Sequence, residues 1–212
     1  MAKLESNFKN IFLCLLLISS ILAGLLGAVY SVTEKPISET QDRIKNEAIQ
    51  KVVPAFDKLE TMRFPVEAEV VQNIFKKEQA ADSLTIYKAL NKGEWVGTAV
   101  ETFSDKGFSG RIRLMVGFLP DGTIQKIEVL NHSETPGLGD KMEVGKSPFP
   151  EQFLKKNPKS FSLIVKKDGG DVDAITAATI SSRAYCDAVQ TAYDVFKKVF
   201  INDVNEGGNS DE

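Results

Sequence analysis

Residues Ile11 to Tyr30 read IFLCLLLISSILAGLLGAVY, with no charged side chain among them. Twenty residues at the helical rise span about 30 Å, the thickness of a bilayer's hydrocarbon core. A cleaved signal peptide is the competing reading. It carries a shorter apolar stretch, roughly 7–15 residues, and ends in a small-x-small site. Ala28 suits the cleavage position, but Leu26 then occupies the upstream small-residue position. The run therefore predicts an uncleaved transmembrane anchor over 11–30. Cys14 lacks a preceding Leu-Ala-Gly of the lipoprotein type and reads as a small apolar residue facing lipid. Lys3, Lys9 and the amino terminus precede the span against one Glu5, while Glu34 and Lys35 follow it. This bias predicts a cytoplasmic N-terminus over 1–10 and a C-terminal domain on the periplasmic, extracytoplasmic side of an inner membrane.

The remaining 182 residues carry a different balance. The chain has 26 basic and 29 acidic residues, net −3. The first thirty residues hold two Lys and one Glu, which leaves −4 for the rest. No basic excess points to nucleic acid as a partner. An apolar fraction of 42% is too high for a disordered chain. Two Cys, one expected in the membrane and one outside, cannot build a disulfide scaffold, a four-Cys zinc site or an iron–sulfur centre. A single His cannot build a multi-His metal site.

Between the span and residue 83 the pattern predicts a membrane-proximal helical segment over 31–83. Ile37, Ile44, Ala48, Ile49, Val52, Val53 and Phe56 recur near helical spacing from Pro36 to Leu59, and Pro54 should disturb the last turn. Residues 61–83 are mixed and only weakly periodic. From Leu84 the pattern is strand-like. LTIYKAL and EWVGTAVETF flank Asn91-Lys92-Gly93, RIRLMVGFL and TIQKIEVLN flank Pro120-Asp121-Gly122, and SFSLIVK and DVDAI flank Asp168-Gly169-Gly170. Each triplet is a hairpin turn signal. A short helix is expected around Phe153. Tyr185, Val189, Ala192, Tyr193, Phe196, Val199 and Phe200 lie on one face of a final helix of four or five turns. The polar, Gly-rich 201–212 reads as a flexible tail. Grouped strands with flanking helices give an α+β domain over 84–200 with antiparallel strands.

Directly before the final helix stands Asp173-Ala174-Ile175-Thr176-Ala177-Ala178-Thr179-Ile180-Ser181-Ser182. Ala177 and Ala178 let a bulky group approach the backbone. Hydroxyls sit where the helix begins, and a helix N-terminus offers unpaired N–H groups to a phosphate. On spacing alone, the ordinary alternative is that these Ser and Thr are N-caps.

DAITAATISS resembles the flavinylation motif of the FMN-binding domain family: an Asp, two spacers, Ser/Thr-Gly-Ala-Thr, then a hydroxyl residue. Ala177 stands where that family usually has Gly. His132-Ser133-Glu134-Thr135-Pro136-Gly137-Leu138-Gly139 resembles the ETPGLG loop that accompanies the motif, and RIRLMVGFLPDGTI resembles the strand pair before it. The likeness covers roughly 93–200. With the anchor added, the chain resembles the family of G subunits of Rnf ion-translocating electron-transport complexes. The C subunit of the sodium-pumping quinone reductase shares these features but is usually longer.

The resemblance implies FMN joined through its phosphate to Thr179 by an FMN transferase. It implies other subunits of a membrane complex as partners, and a one-electron carrier rather than a stand-alone enzyme. Ser181 and Ser182 are then candidates for holding phosphate oxygens, and Thr176 for bonding the flavin or ordering the loop. Asp173 is a candidate for turn formation or transferase recognition. Ala177 and Ala178 would lie against the cofactor. Glu134, Thr135, Gly137 and Leu138 are candidates for lining the ring. No catalytic residue and no metal ligand is expected. Two other readings remain: an extracytoplasmic flavin reductase, and a non-redox membrane-anchored binding module.

Overall fold

Pro36, expected to open a separate helix, lies inside one continuous helix in the computed structural model, which describes residues 8–64 and 84–202. Residues 1–7 of the expected N-terminus 1–10, 65–83 of the expected helical segment 31–83 and 203–212 of the expected tail 201–212 lie outside the described residues. Helix α1 runs Phe8–Val52. Its polar side chains do not interrupt it, because their hydroxyls return to the backbone: Ser31 donates to the Gly27 carbonyl, Thr33 to Val29 and Thr40 to Pro36. The apolar run within α1 is long enough to cross a membrane, and none of it is buried in the protein. The chain divides into two compact units, Met1–Ile44 and Lys45–Glu212.

In the second unit, α1 ends at Val52 rather than Leu59, two residues before Pro54. The pre-proline position disfavours helical backbone, so the helix stops short of it. Part of the expected helical segment is a strand: β1 spans Lys58–Phe64. It pairs antiparallel with β2, Leu84–Asn91. Strands β3 (Glu94–Ser104), β4 (Ile112–Phe118) and β5 (Ile124–Asn131) follow, and the sheet order is β1-β2-β3-β4-β5. This is an antiparallel meander, which short hairpin turns allow. The first turn uses Lys92 and Gly93 at positive φ, 53° and 84°.

Both faces of the sheet are covered. Ile112, Leu114, Val116 and Phe118 alternate along β4 and pack against the final helix, α2, Thr179–Lys197. Met115, on the other face, joins Ala99, Ala89 and Tyr87 against Ala48, Ile49, Val52 and Val53. Close approach is possible there because β4 has Gly117, where a Cβ would lie 1.9 Å from the Val52 carbonyl oxygen. Glu101, buried on that face, pairs with Lys45 at 3.2 Å and with Arg113. On the α2 face, Thr102 donates to the Ala188 carbonyl and Ser104 to Asp187. The fold is α+β, as expected.

The third expected hairpin does not form. Residues 160–175 make only an isolated parallel bridge, Val165 to Val172, around a 3-10 turn at Lys166–Asp168. Gly170 packs so closely on Ile164 that a Cβ would lie 2.1 Å from its carbonyl oxygen. The chain crosses itself there instead of running alongside. A 3-10 turn at Phe149–Phe153 takes the place of the expected short helix.

Candidate functional site

The N-terminus of α2 has no side-chain cap. Its N-cap residue is Ala178, and no side chain bonds the first turn. The hydroxyls nearby are placed otherwise. Ser182 Oγ accepts from the Ile175 N–H and donates to the Ala178 carbonyl, which closes the turn 175–182 from within. Ser181 Oγ donates to Glu134 Oε2 at 2.6 Å. The N–H groups of Thr179, Ile180 and Ser181 find no acceptor among the described residues, and the Thr179 hydroxyl makes no hydrogen bond there. The capping role open to these residues from spacing alone is therefore not the one they take. Ala177 has φ +61°, the left-handed region that glycine adopts without cost.

The HSETPGLG segment reaches the same place from the end of β5. Leu138 N–H donates to the Thr135 carbonyl, and Gly137 between them has φ +77°. This is a type II turn, with Pro136 at the position that prefers Pro and Gly137 at the one that needs positive φ. Glu134 is buried. Its Oε1 accepts from the Ser109 N–H at 3.0 Å and its Oε2 from Ser181. Gly139 permits this: a Cβ there would lie 2.7 Å from the Glu134 carboxylate and 2.9 Å from Ser181 Oγ. His132 holds the loop from behind. Its Nδ1 accepts the Glu134 N–H at 3.0 Å, so Nε2 carries the proton and donates to Glu143 at 2.7 Å.

These segments enclose a cleft of about 320 Å³ lined by Glu134, Thr135, Leu138, Ala177, Ala178, Thr179 and Ser181. That volume falls at the lower end of the roughly 300–1,000 Å³ usual for ligand pockets. Seven of the expected site residues thus meet in one cleft. Gly137 shapes the turn at its edge, and Ser182 is buried beneath it. Asp173 and Thr176 line a separate cavity of about 590 Å³ with Lys141, Phe149 and Gln152. Asp173 pairs with Lys166 at 2.7 Å, and its backbone N–H and carbonyl are both bonded by the Gln152 amide. Phe108 and Ile180, which the sequence does not single out, complete the lining of the first cleft together with Gly139. Phe108 has no periodic signal, standing alone in a polar turn. Gly139 was readable as part of ETPGLG.

Burial, the largest single influence, pushes the Glu143 and Asp140 carboxyls up, but the hydrogen bonds and charge of Lys146, joined by His132 at Glu143 and by the Gly137 N–H at Asp140, together hold both below the usual carboxylate range. The hydrogen bond from Arg183 does the same for Asp168.

The FMN-binding domain family matches residues 107–194. The G subunit of the ion-translocating oxidoreductase complex of Shewanella baltica (strain OS223) is 34% identical over 188 residues, covering 87% of this chain and 86% of that protein. Its counterpart in Pasteurella multocida (strain Pm70) is 35% identical over 183 residues, 83% of this chain and 87% of its own. A solved structure, NqrC of Shewanella oneidensis, aligns with a TM-score of 0.49 at 21% identity over 71% of this chain and 85% of that one. On sequence identity sustained over most of both chains, this protein belongs to the family of G subunits of ion-translocating oxidoreductase complexes and carries an FMN-binding domain.

Proposed function

We infer that this protein is the FMN-bearing electron-transfer subunit of an Rnf-type ion-translocating oxidoreductase complex. In this reading α1 anchors it in the cytoplasmic membrane, the domain lies on the extracytoplasmic side, and FMN is held as a phosphoester on Thr179. The observation that carries the attachment is the Thr179 hydroxyl, which lacks a hydrogen-bond partner among the described residues at an uncapped helix N-terminus inside the cleft.

The residues present fit the group. Three backbone N–H groups without acceptors among the described residues, at the positive end of a 19-residue helix, suit a phosphodiester. Leu138 and Ile180, 41% and 46% exposed, offer apolar surface to a flat ring beside it. Bound FMN supplies reversible electron transfer through its ring system. The chain's own residues do the rest. During maturation by an FMN transferase, Thr179 Oγ would give up its proton and form the O–P bond as the flavin donor's P–O bond to its leaving group breaks, and the departing group would take up the proton. Glu134, through Ser181, fixes the first turn on which Thr179 sits. Ala177 and Ala178, without bulk beyond Cβ, leave the approach open. A tether keeps the cofactor at an effective concentration on the order of millimolar where free FMN would be lost by diffusion. The other subunits of the complex would supply and remove electrons.

Intact-mass analysis of full-length protein made with its transferase tests this. Wild-type should gain the mass of one FMN less one water, and Thr179→Val should not. An unmodified wild-type sinks the attachment. Specific turnover of a soluble acceptor by the isolated flavinylated protein would instead favour the reductase reading. Protease accessibility of the domain in sealed vesicles of known orientation tests the topology.

A further inference from the structure

Three chain segments line the cleft, and one of them has no role in the proposed attachment. It is the loop 105–111 between β3 and β4, which reads DKGFSGR and contributes Phe108. Phe108 is 68% exposed and has no ring partner among the described residues. Every other residue of this loop is polar, charged or glycine.

The loop is braced. Arg111 closes its base with a two-pronged pair to Asp105, at 2.7 and 3.1 Å, and lies 4.2 Å over the Phe103 ring. Gly107 fits only without a side chain, since a Cβ would lie 2.2 Å from the Gly110 carbonyl oxygen and 2.8 Å from Glu134 Oε1. Ser109, the neighbour of Phe108, donates its N–H to that same Glu134 oxygen. One buried carboxylate therefore ties the residue after Phe108 to the helix turn that carries Thr179. An unsupported exposed Phe would be an ordinary surface residue. A Phe on a loop pinned at both ends, beside exposed Leu138 and Ile180, is a preset apolar platform.

We propose that Phe108 is the aromatic wall of the flavin cleft, positioned by Glu134 to pack on the ring of FMN tethered at Thr179. The proposal rests on that tether. It names a contact that neither motif contains, and gives the loop 105–111 its function. Aromatic faces pack on flat heterocycles whatever their polar substituents, so Phe108 orients the ring while the Thr179 linkage holds the phosphate.

The test uses full-length protein matured with its transferase, comparing wild-type with Phe108→Trp, Phe108→Ala and Phe108→Tyr. Flavin emission and visible circular dichroism are read per mole of covalent flavin, with intact mass measured on each sample. An indole against the ring quenches its emission, so Phe108→Trp should lower emission several-fold. Phe108→Ala should raise emission and at least halve the dichroism, and Phe108→Tyr should keep the wild-type dichroism. The native Trp95 stacks on Phe200, at the far end of α2 and about 30 Å along the helix from Thr179, so it contributes equally throughout. If the adduct is present and all four proteins give the same emission and dichroism, the Phe108 contact is wrong while the attachment stands. If wild-type carries no adduct, both fall together.

Discussion

Ser181 Oγ donates to Glu134 Oε2 at 2.6 Å across 47 residues of sequence, and this contact joins the loop after β5 to the first turn of α2. Both partners are buried, Glu134 at 5% exposure and Ser181 at 2%. A buried carboxylate that loses a donor keeps its full desolvation penalty, whereas a surface one would turn to water. Ser181→Ala should therefore cost about 1–3 kcal/mol. Gly139→Ala, which drives a methyl between the same two side chains, should cost about the same by overpacking. Urea unfolding of the flavin-free protein measures both.

Ala177 holds a left-handed backbone that costs an L-residue about 1–2 kcal/mol. Replacing it with glycine removes that strain but adds roughly 0.4–1 kcal/mol of unfolded-state entropy. The net expectation for Ala177→Gly is a small gain, about 0.5 kcal/mol, read as a rise in Tm. Flavin attachment should persist, since the turn itself is unchanged.

How far the sequence showed all this depends on how local the cause is. The two hairpins were legible because Asn91-Lys92-Gly93 and Pro120-Asp121-Gly122 set their own turns. The third signal, Asp168-Gly169-Gly170, misled because Gly170 is there for close packing on Ile164, not for a hairpin. Strand β1 was missed since KLETMRF sits at the sheet edge, where one neighbour and much solvent blur the alternation. In the site, ETPGLG and DAITAATISS could each be read from their residue types. That Glu134 spans both, and that Ser109 joins them, depends on pairings 25 and 47 residues apart that no local pattern carries.

Tyr185 lies fully in the core between Phe149 and Phe153, and its hydroxyl has no partner among the described residues. Burial pushes its phenol well above the ordinary value. Tyr185→Phe keeps the ring packing and deletes the unsatisfied group, so it should be neutral or stabilising by about 1 kcal/mol. A thermal melt that drops by several degrees would show that the hydroxyl has a partner after all.

Acid sensitivity follows from the depressed carboxyls. Asp140, Glu143 and Asp168 all sit below their unfolded values, through hydrogen bonds from Lys146 and Arg183. Depressed groups contribute stability that is complete above the unfolded pKa, about 4, and is lost as pH falls through the folded one. Asp194 runs the other way, raised by burial, so acid relieves its cost. Glu60, held down by Lys58, and Asp121, held down by Thr123, add to the depressed groups, so five depressed carboxyls against one raised predict a Tm that falls below about pH 4. Lys146→Ala should flatten that fall, because Asp140 and Glu143 lose the donor that depresses them. Asp194→Asn should raise Tm at neutral pH. Melts recorded from pH 7 to pH 3 check all three outcomes.

Helix α2 opens on three N–H donors with no acceptor among the described residues, while the side chains of Ser181 and Ser182 hold its first turn to Glu134 and to the Ala178 carbonyl. If the phosphodiester forms at Thr179, the cofactor would supply acceptors to the helix's own opening donors, and attachment would complete the protein's secondary structure. Amide exchange at Thr179, Ile180 and Ser181 would then serve as a clock of maturation, fast in the newly made chain and slow once the flavin is in place.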